Sequence, residues 1–342
     1  MILNKRIDAF ANLGLSLSEM LTSSNCDNDL KKCMQQAHQK NAWFISDFVT
    51  YSLENIAKQL DKKTLEAWTS KYEFASKSKT VGLVAAGNIP LVSFHDFLAV
   101  LISGHKVLLK LSSKDNVLMP FLIKKLIETE PTFSEKIIVT DGILKDFDAV
   151  IATGSNNSAH YFEYYFKQVK HIIRKNRSSI AILDGTETTN ELDGLINDAL
   201  MYFGLGCRNV SKIFIPVHFD IRNLYKHISK FVHIKDHYKY FNNYEYNRAI
   251  YLVNKTEHFD NDYLIFKEDE GFFSPLSVLY YEKYDNLCVL QEKIANAKES
   301  IQCIVSKSDV FYKKSTGFGN AQNPEINDYA DDIDTLKFLE KL

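Results

Sequence analysis

The chain has 342 residues, 45% of them hydrophobic, with 43 acidic against 41 basic side chains and a formal charge of -2. That length can bury a core large enough for two lobes, and the near-neutral balance removes the attraction that sequence-independent binding to a phosphate backbone requires, so no nucleic acid partner is expected. The opening Met1-Ile2-Leu3-Asn4-Lys5-Arg6 leads into no signal-type apolar core, and the most apolar run, 97–103, is too short to cross a bilayer; no membrane span and a cytoplasmic location are expected.

From Ile2 to about Trp68 apolar residues recur at helical spacing, as in Ile7, Phe10 and Leu13 and again in Phe44, Phe48, Tyr51 and Ile56, which predicts a helical N-terminal segment. After a polar passage, 70–79, the period changes. Residues 81–86 read as a buried strand, Asn88-Ile89-Pro90 as a turn, 92–103 as a helix and 106–110 as a second strand. The pattern continues with a helix over 118–128, extended segments over 136–140 and 149–152, and a helix over 159–166, which predicts a parallel sheet covered by helices. A second unit starts near a strand at 179–183, followed by a helix over 191–203, a strand over 212–216 and a helix over 220–231. Residues 238–251, crowded with Tyr, Phe and Asn, give a poor periodic signal and no assignment. Strands at 277–281 and 301–306 enclose a helix over 287–297, and there is no internal repeat.

Residues 203–209, Phe-Gly-Leu-Gly-Cys-Arg-Asn, hold Cys207 in a short turn between a helical run and an apolar strand. Gly204 and Gly206 let a backbone or ligand approach closely, and the thiol lacks the apolar packing on both sides that marks a core cysteine; it reads as a nucleophile. Cys26, Cys33, Cys207, Cys288 and Cys303 are odd in number and form no Cys-x-x-Cys pair, which argues against a disulfide framework and a structural zinc site. A phosphate loop and a Gly-x-Ser-x-Gly elbow are absent, and Gly317-Phe318-Gly319 lacks a third glycine, so ATP hydrolysis and serine-esterase chemistry lose support. His233 and His237 are four apart, but no Glu follows His233 and no third ligand is evident; they read as surface residues, and no metal is expected. The aromatics Tyr161, Phe162, Tyr164, Tyr165 and Phe166 read as core filling in preference to a substrate channel. Lys167, Lys170, Arg174, Lys175 and Arg177 form the one real basic cluster, either a solvated face or a partner for phosphates of a nucleotide or coenzyme.

Four segments in order, Val84-Ala85-Ala86-Gly87-Asn88-Ile89-Pro90-Leu91-Val92, Lys106-Val107-Leu108-Leu109-Lys110-Leu111-Ser112-Ser113, Ala152-Thr153-Gly154-Ser155 and Gly206-Cys207, resemble landmarks of the aldehyde dehydrogenase superfamily. Within it the chain is similar to the acyl-CoA reductases of the bioluminescence fatty acid reductase type, on Gly319-Asn320-Ala321-Gln322 and the ending Tyr329-Ala330-Asp331-Asp332-Ile333-Asp334-Thr335-Leu336-Lys337-Phe338. The likeness runs from about Thr80 to the C-terminus. It implies an aldehyde dehydrogenase-like α/β fold of two lobes, each with a mainly parallel, helix-covered sheet. It makes Cys207 the nucleophile and Asn88 an oxyanion-hole donor through its side-chain amide, a pairing suited to the negative charge that thiolate attack creates on a carbonyl oxygen. Lys110 would contact the adenosine ribose of a nicotinamide dinucleotide, and Thr153, Gly154 and Ser155 would form the turn and helix start beside its diphosphate and nicotinamide. By themselves Lys110 also fits a surface lysine at a strand end, and 153–155 an ordinary cap and turn.

The chain departs from the common dehydrogenase pattern in three places. The base glutamate of hydrolytic members falls near Ile173, so a thioester on Cys207 would hydrolyse slowly and suit thiol exchange or hydride acceptance. The ribose-binding glutamate expected three residues after Lys110 is Ser113, which does not repel a 2′-phosphate and makes NADPH acceptable. Glu270-Gly271-Phe272-Phe273-Ser274-Pro275 meets the later Glu-x-Phe cofactor contact only loosely.

The expected function is reduction of a fatty acyl thioester, acyl-CoA or another donor, to the aldehyde with NADPH, NADH standing second, through an acyl-cysteine on Cys207. One rival is an oxidising, NAD-dependent aldehyde dehydrogenase, which needs a base that is not found. Another is a catalytically silent scaffold subunit of an acyl-transfer assembly, against which the intact Cys207 and Asn88 argue. A homo-oligomer and an acyl-transferring partner protein are the expected associations. The expected division is 1–173 for the helical segment and dinucleotide-binding domain, 174–310 for the cysteine domain, and 311–342 for a segment returning to the cofactor lobe or an oligomer interface.

Overall fold

The computed structural model describes residues 1–22, 27–75, 77–307 and 315–342; Cys26 lies outside the described residues. The chain forms two compact units, Met1–Asn176 with Glu325–Leu342, and Arg177–Pro324. The first division falls three residues beyond the expected one, because β5 belongs wholly to the first unit. The second falls at Pro324, whereas position 310 lies outside the described residues.

The first unit begins with four helices, α1 (Leu3–Thr22), α2 (Asn28–Lys40), α3 (Ser46–Gln59) and α4 (Lys62–Thr69). Asp27 and Asp61 cap α2 and α4, each accepting a backbone N–H that the helix start leaves unpaired. Their apolar stripes bury Phe10, Leu13, Leu17, Leu53 and Trp68 in the core that also takes one side of the sheet. The sheet comprises β1 (Thr80–Val84), β2 (Lys106–Lys110), β3 (Ile137–Thr140), β4 (Ala149–Thr153) and β5 (Lys170–Arg174). All pairings are parallel and the order is β3-β2-β1-β4-β5. Helices α5 (Phe94–Ile102), α6 (Leu118–Thr129) and α7 (Asn156–Phe166) make the crossovers. Strand order runs outward from β1 through β2 to β3 and then reverses through β4 to β5, so β1 and β4 flank the switch point where open parallel sheets take ligands at their C-terminal ends.

The second unit holds β6 (Ser178–Ile182), α8 (Thr189–Leu200), β7 (Val210–Pro216), α9 (Tyr225–Ile228), α10 (Tyr238–Val253), β8 (Phe259–Asp260), β9 (Ile265–Glu268), β10 (Val278–Tyr284), α11 (Leu287–Asn296) and β11 (Ile301–Ser306). The sheet order is β11-β6-β7-β10-β9-β8, parallel except for the short antiparallel β8–β9 pair. The single helix expected over 220–231 is instead a 3-10 turn, the brief α9 and a further 3-10 stretch that leaves helical geometry at Phe231. Residues 238–251, unassigned from sequence, lie in α10. Its buried Tyr240, Tyr244, Asn247 and Tyr251 keep helical spacing, but a face of tyrosines and asparagine carries little hydrophobic signal.

The C-terminal segment, with α12 (Thr335–Glu340), rejoins the first unit. Tyr329 Oη accepts the Trp68 indole N–H at 2.7 Å and lies 2.9 Å from Tyr72 Oη, and Tyr72 donates to Asp334 at 2.9 Å. Arg174, at the end of β5, donates to the Ala330 carbonyl, the Thr335 hydroxyl and the Asp96 carboxylate. Of the basic cluster, then, Arg174 is buried and occupied in the core, while Lys167, Lys170 and Lys175 are exposed.

Candidate active site

Asn88 sits in the turn between β1 and α5, and three contacts within the first unit fix that turn. The Ser93 hydroxyl accepts from the Ala86 N–H at 2.9 Å, and the Ser52 hydroxyl donates to the Pro90 carbonyl at 2.8 Å. The buried Asp115 carboxylate accepts from the Leu91 N–H at 2.8 Å, holding Leu91 in the left-handed region at φ 58°. Burial pushes the Asp115 carboxyl up to about 6 against the pull of that amide. Gly87 could not be another residue without movement: a Cβ there would lie 2.6 Å from Ser112 Oγ and 3.0 Å from the Asp115 nitrogen. The Asn88 turn therefore packs closely, at Gly87, against Ser112 and the Asp115 backbone in the loop after β2.

The other candidate residues of this unit share the same sheet edge. Lys110 ends β2 opposite Val84, is half-buried, and its carbonyl accepts from Ala85 at 3.0 Å; Ser113 is exposed three residues further on. Thr153 ends β4 opposite Arg174, and Gly154 approaches α7 so closely that a Cβ would meet Ser158 at 2.8 Å and Phe162 at 2.9 Å. Ser155 caps α7, its hydroxyl accepting from the Ser158 N–H at 3.2 Å. The structure thus brings Asn88, Lys110, Ser113 and Thr153–Ser155 to the C-terminal ends of three adjacent strands. Ile173 lies on β5 beside Ala152, so the expected base position carries an aliphatic side chain.

Cys207 belongs to the second unit, in the loop between α8 and β7 at the N-terminal edge of its sheet, and its side chain is half-buried. Helix α8 does not run on to Phe203; it stops at Leu200, and Tyr202, Phe203 and Gly204 follow in the left-handed region at φ 52°, 57° and 77°. Two consecutive aromatic residues there cost about 1–2 kcal/mol each. Opposing that cost, the Phe203 ring packs against His237, tilted by 34° with centroids 4.4 Å apart, and Asn209 ties the loop together. The Asn209 amide donates to the carbonyls of Asp198 and Met201 at 2.9 and 2.8 Å, and its oxygen accepts from the Gly206 N–H at 2.7 Å. Ser179 donates to the Cys207 carbonyl at 3.0 Å, and Arg208 Nε to the Ala321 carbonyl at 2.6 Å. Asp198, fully buried on α8, accepts from Gly319 and Ala321 at 2.7 and 3.0 Å, and burial pushes its carboxyl up to about 7.

Sequence reasoning missed a second anchor, on β7. Ser211 donates to the Phe272 carbonyl at 2.6 Å, and the fully buried Lys212 bonds to the Asp269 carbonyl and, at 2.7 Å, to Glu282. Together they fix both ends of the 269–272 loop, which carries the loosely matched Glu-x-Phe segment. The only signal was a lysine opening an otherwise apolar strand.

The remaining thiols differ from Cys207. Burial pushes Cys33 up to about 12, and Cys303 is buried on β11, donating to Thr316 Oγ1 at 3.2 Å. Cys288 is exposed in the first turn of α11. His237 caps α10, its Nδ1 facing the Tyr240 N–H at 3.3 Å. Among the described residues no group of acidic, His and Cys side chains is arranged to hold a metal ion, and no helix is long and apolar enough to cross a membrane. In the aromatic cluster on α7, Phe162 and Phe166 pack against Leu144, Val150 and Ala152, whereas Tyr161, Tyr164 and Tyr165 are exposed.

No curated protein sequence matches the chain significantly. Among solved structures it resembles an aldehyde dehydrogenase of Mycobacterium tuberculosis complexed with NAD+, at 15% identity and a TM-score of 0.65, over 90% of this chain and 73% of that one. A putative aldehyde dehydrogenase of Burkholderia cenocepacia matches at 9% identity and a TM-score of 0.66, over 90% and 74%. Aldehyde dehydrogenase C of Pseudomonas syringae, a mutant solved with NAD+ and octanal, matches at 10% identity and a TM-score of 0.65, over 89% and 71%. At these identities the likeness is one of fold. The model of the LuxC acyl-CoA reductases matches residues 12–231, well over half of the chain and including both Asn88 and Cys207. The chain therefore has an aldehyde dehydrogenase-like fold and belongs to the LuxC acyl-CoA reductase family.

Proposed function

We propose that this protein reduces an acyl thioester to an aldehyde with a nicotinamide dinucleotide, NADPH in preference to NADH, through an acyl intermediate on Cys207. The observation that carries the reading is the Cys207 turn: a half-buried thiol on a loop whose neighbours are pinned on both sides, in a chain of an acyl-CoA reductase family. A pinned loop holds the sulfur in place for attack without ordering it at each turnover.

The first unit fits the dinucleotide. In support, its C-terminal strand ends meet at a switch point, Gly154 leaves no room for a side chain beside α7, and the half-buried Lys110 and exposed Ser113 follow one another at the end of β2. Lys110, Ser113 and Thr153–Ser155 would hold it, and when bound it supplies the hydride. The Cys207 thiolate attacks the thioester carbonyl carbon, the new C–S bond forms, and the carrier thiolate leaves, giving acyl-Cys207. Hydride addition to that carbon gives a thiohemiacetal oxyanion; its collapse breaks the C–S bond, releases the aldehyde and regenerates the Cys207 thiolate. Asn88, through its amide, and the Cys207 N–H would stabilise the oxyanion in both steps. Ile173 in place of a base leaves water unactivated, which favours reduction over hydrolysis.

Incubation with acyl-CoA followed by peptide mass spectrometry tests this. The expected result is a single acyl adduct on the Cys207 peptide, absent in Cys207→Ser. An unmodified protein, or an adduct elsewhere, would contradict it.

A further inference from the structure

Cys207 is flanked by two hydrogen-bonded supports, and both return to the same residue, one to its main-chain carbonyl and the other to its carboxylate. On one side the Gly206 N–H is held by Asn209, whose amide donates to the Asp198 and Met201 carbonyls. On the other side Arg208 Nε donates to the Ala321 carbonyl. Ala321 lies in the 317–321 turn, and that turn is held against α8 by the Asp198 carboxylate, one oxygen accepting from Gly319 and the other from Ala321. Gly319 is in the left-handed region at φ 82°, so the turn presents two amides to one anion, a nest filled by the protein's own side chain. One helical turn before Asp198, Gly194 completes the fit: a Cβ there would stand 2.8 Å from the Gly319 nitrogen. The closed path runs from the Asp198 carboxylate through the turn to Arg208, across Cys207 to Gly206, and through Asn209 back to the Asp198 carbonyl.

We propose that Asp198 is a positioning residue for Cys207, acting through the 317–321 turn and Arg208. A fully buried carboxylate with no lysine or arginine bonded to it among the described residues is costly to keep charged, so a purely structural role would be served as well by an uncharged side chain. What the carboxylate uniquely supplies is two acceptors and no donor, and the two amides it faces require that. An asparagine of the same shape would turn an N–H2 toward one amide, release that end of the turn and leave the Ala321 carbonyl out of place for Arg208.

The proposal rests on Cys207 being the nucleophile, and the experiment separates the two claims. For wild type, Asp198→Asn, Arg208→Met and the double variant, we would measure two rates per folded molecule: acyl adduct formation from acyl-CoA, and alkylation of the Cys207 peptide by iodoacetamide. Cofactor affinity and the unfolding midpoint are read alongside. The expected result is a loss of tenfold or more in Cys207 acylation for each single variant, with cofactor affinity within about twofold of wild type. The double variant should fall no more than about twofold below the worse single one, because both substitutions cut the same path. Wild-type acylation in folded Asp198→Asn, or losses that multiply in the double variant, would overturn the proposal. Should Asp198→Asn fail to fold, Arg208→Met decides in its place, and a wild-type rate there overturns it. If wild type itself takes no acyl group, the proposed function has failed, and an unchanged alkylation rate in the variants would then overturn the positioning role separately.

Discussion

Asn88→Ala should lower turnover by a factor on the order of 100–1000, the usual loss for one oxyanion donor, with cofactor binding little changed. Steady-state turnover beside a fluorescence titration of NADPH checks this; a weaker cofactor complex with turnover retained would place Asn88 in the nucleotide site. Ser113→Glu should move the NADPH-to-NADH affinity ratio at least tenfold toward NADH, equivalent to about 1.4 kcal/mol, by setting a carboxylate against a 2′-phosphate. A ratio that does not move would show that Ser113 does not face the ribose. The turn around Cys207 was legible because glycines between a helical run and a strand advertise a close approach. Its left-handed neighbours were not, since nothing about a Tyr-Phe pair announces positive φ. Asp115 and Asp198 were equally invisible: each is one acid in an ordinary stretch, and its role comes from backbone amides supplied by another part of the chain.

Strand β5 shows how an element can be hidden by its own chemistry. Lys170, His171 and Arg174 mask the Ile172-Ile173 pair, and a reading by charge finds a basic cluster where the structure has an edge strand. Its last residue carries the energetic weight. Arg174 and Asp96 pair at 2.7 Å with side-chain exposures of 5% and 10%, so removing one partner strands a charge in the core. Arg174→Ala should destabilise the fold by about 3–5 kcal/mol in urea unfolding, whereas Lys175→Ala, which breaks the exposed pair with Glu163, should cost under about 1 kcal/mol. Equal midpoints for the two variants would contradict this assignment. Strands β1 and β4 were legible for the opposite reason: parallel strands buried on both faces read as unbroken apolar runs. Helix α10 escaped because its buried face is tyrosine and asparagine, and the 220–231 segment because a sequence period does not show where a helix tightens and breaks.

At the scale of the molecule, two buried carboxyls, Asp115 and Asp198, each contribute a stability that depends on pH. Asp115 and Asp198 titrate near 3.8 when unfolded, but burial raises them to about 6 and about 7 in the fold. Between those limits the folded state holds more protons than the unfolded one. Their contribution is therefore fully present below about pH 3.8 and is lost as pH rises through 6 to 7. The urea midpoint of Asp198→Asn, compared with wild type from pH 5 to 8, should gain on wild type toward the alkaline end; parallel curves would show that Asp198 keeps its ordinary acidity. The α/β class could be read from sequence, because it rests on local pattern. The closed path around Cys207 could not, because residues more than a hundred positions apart complete it. The most direct test of the account starts from isolated acyl-Cys207 enzyme, freed of acyl-CoA and divided between buffer alone and buffer with NADPH. With NADPH, aldehyde should appear in equal amount to the adduct lost; in buffer alone the adduct should persist over the same interval and yield little carboxylic acid. Rapid release of acid in both samples, with no aldehyde, would contradict it.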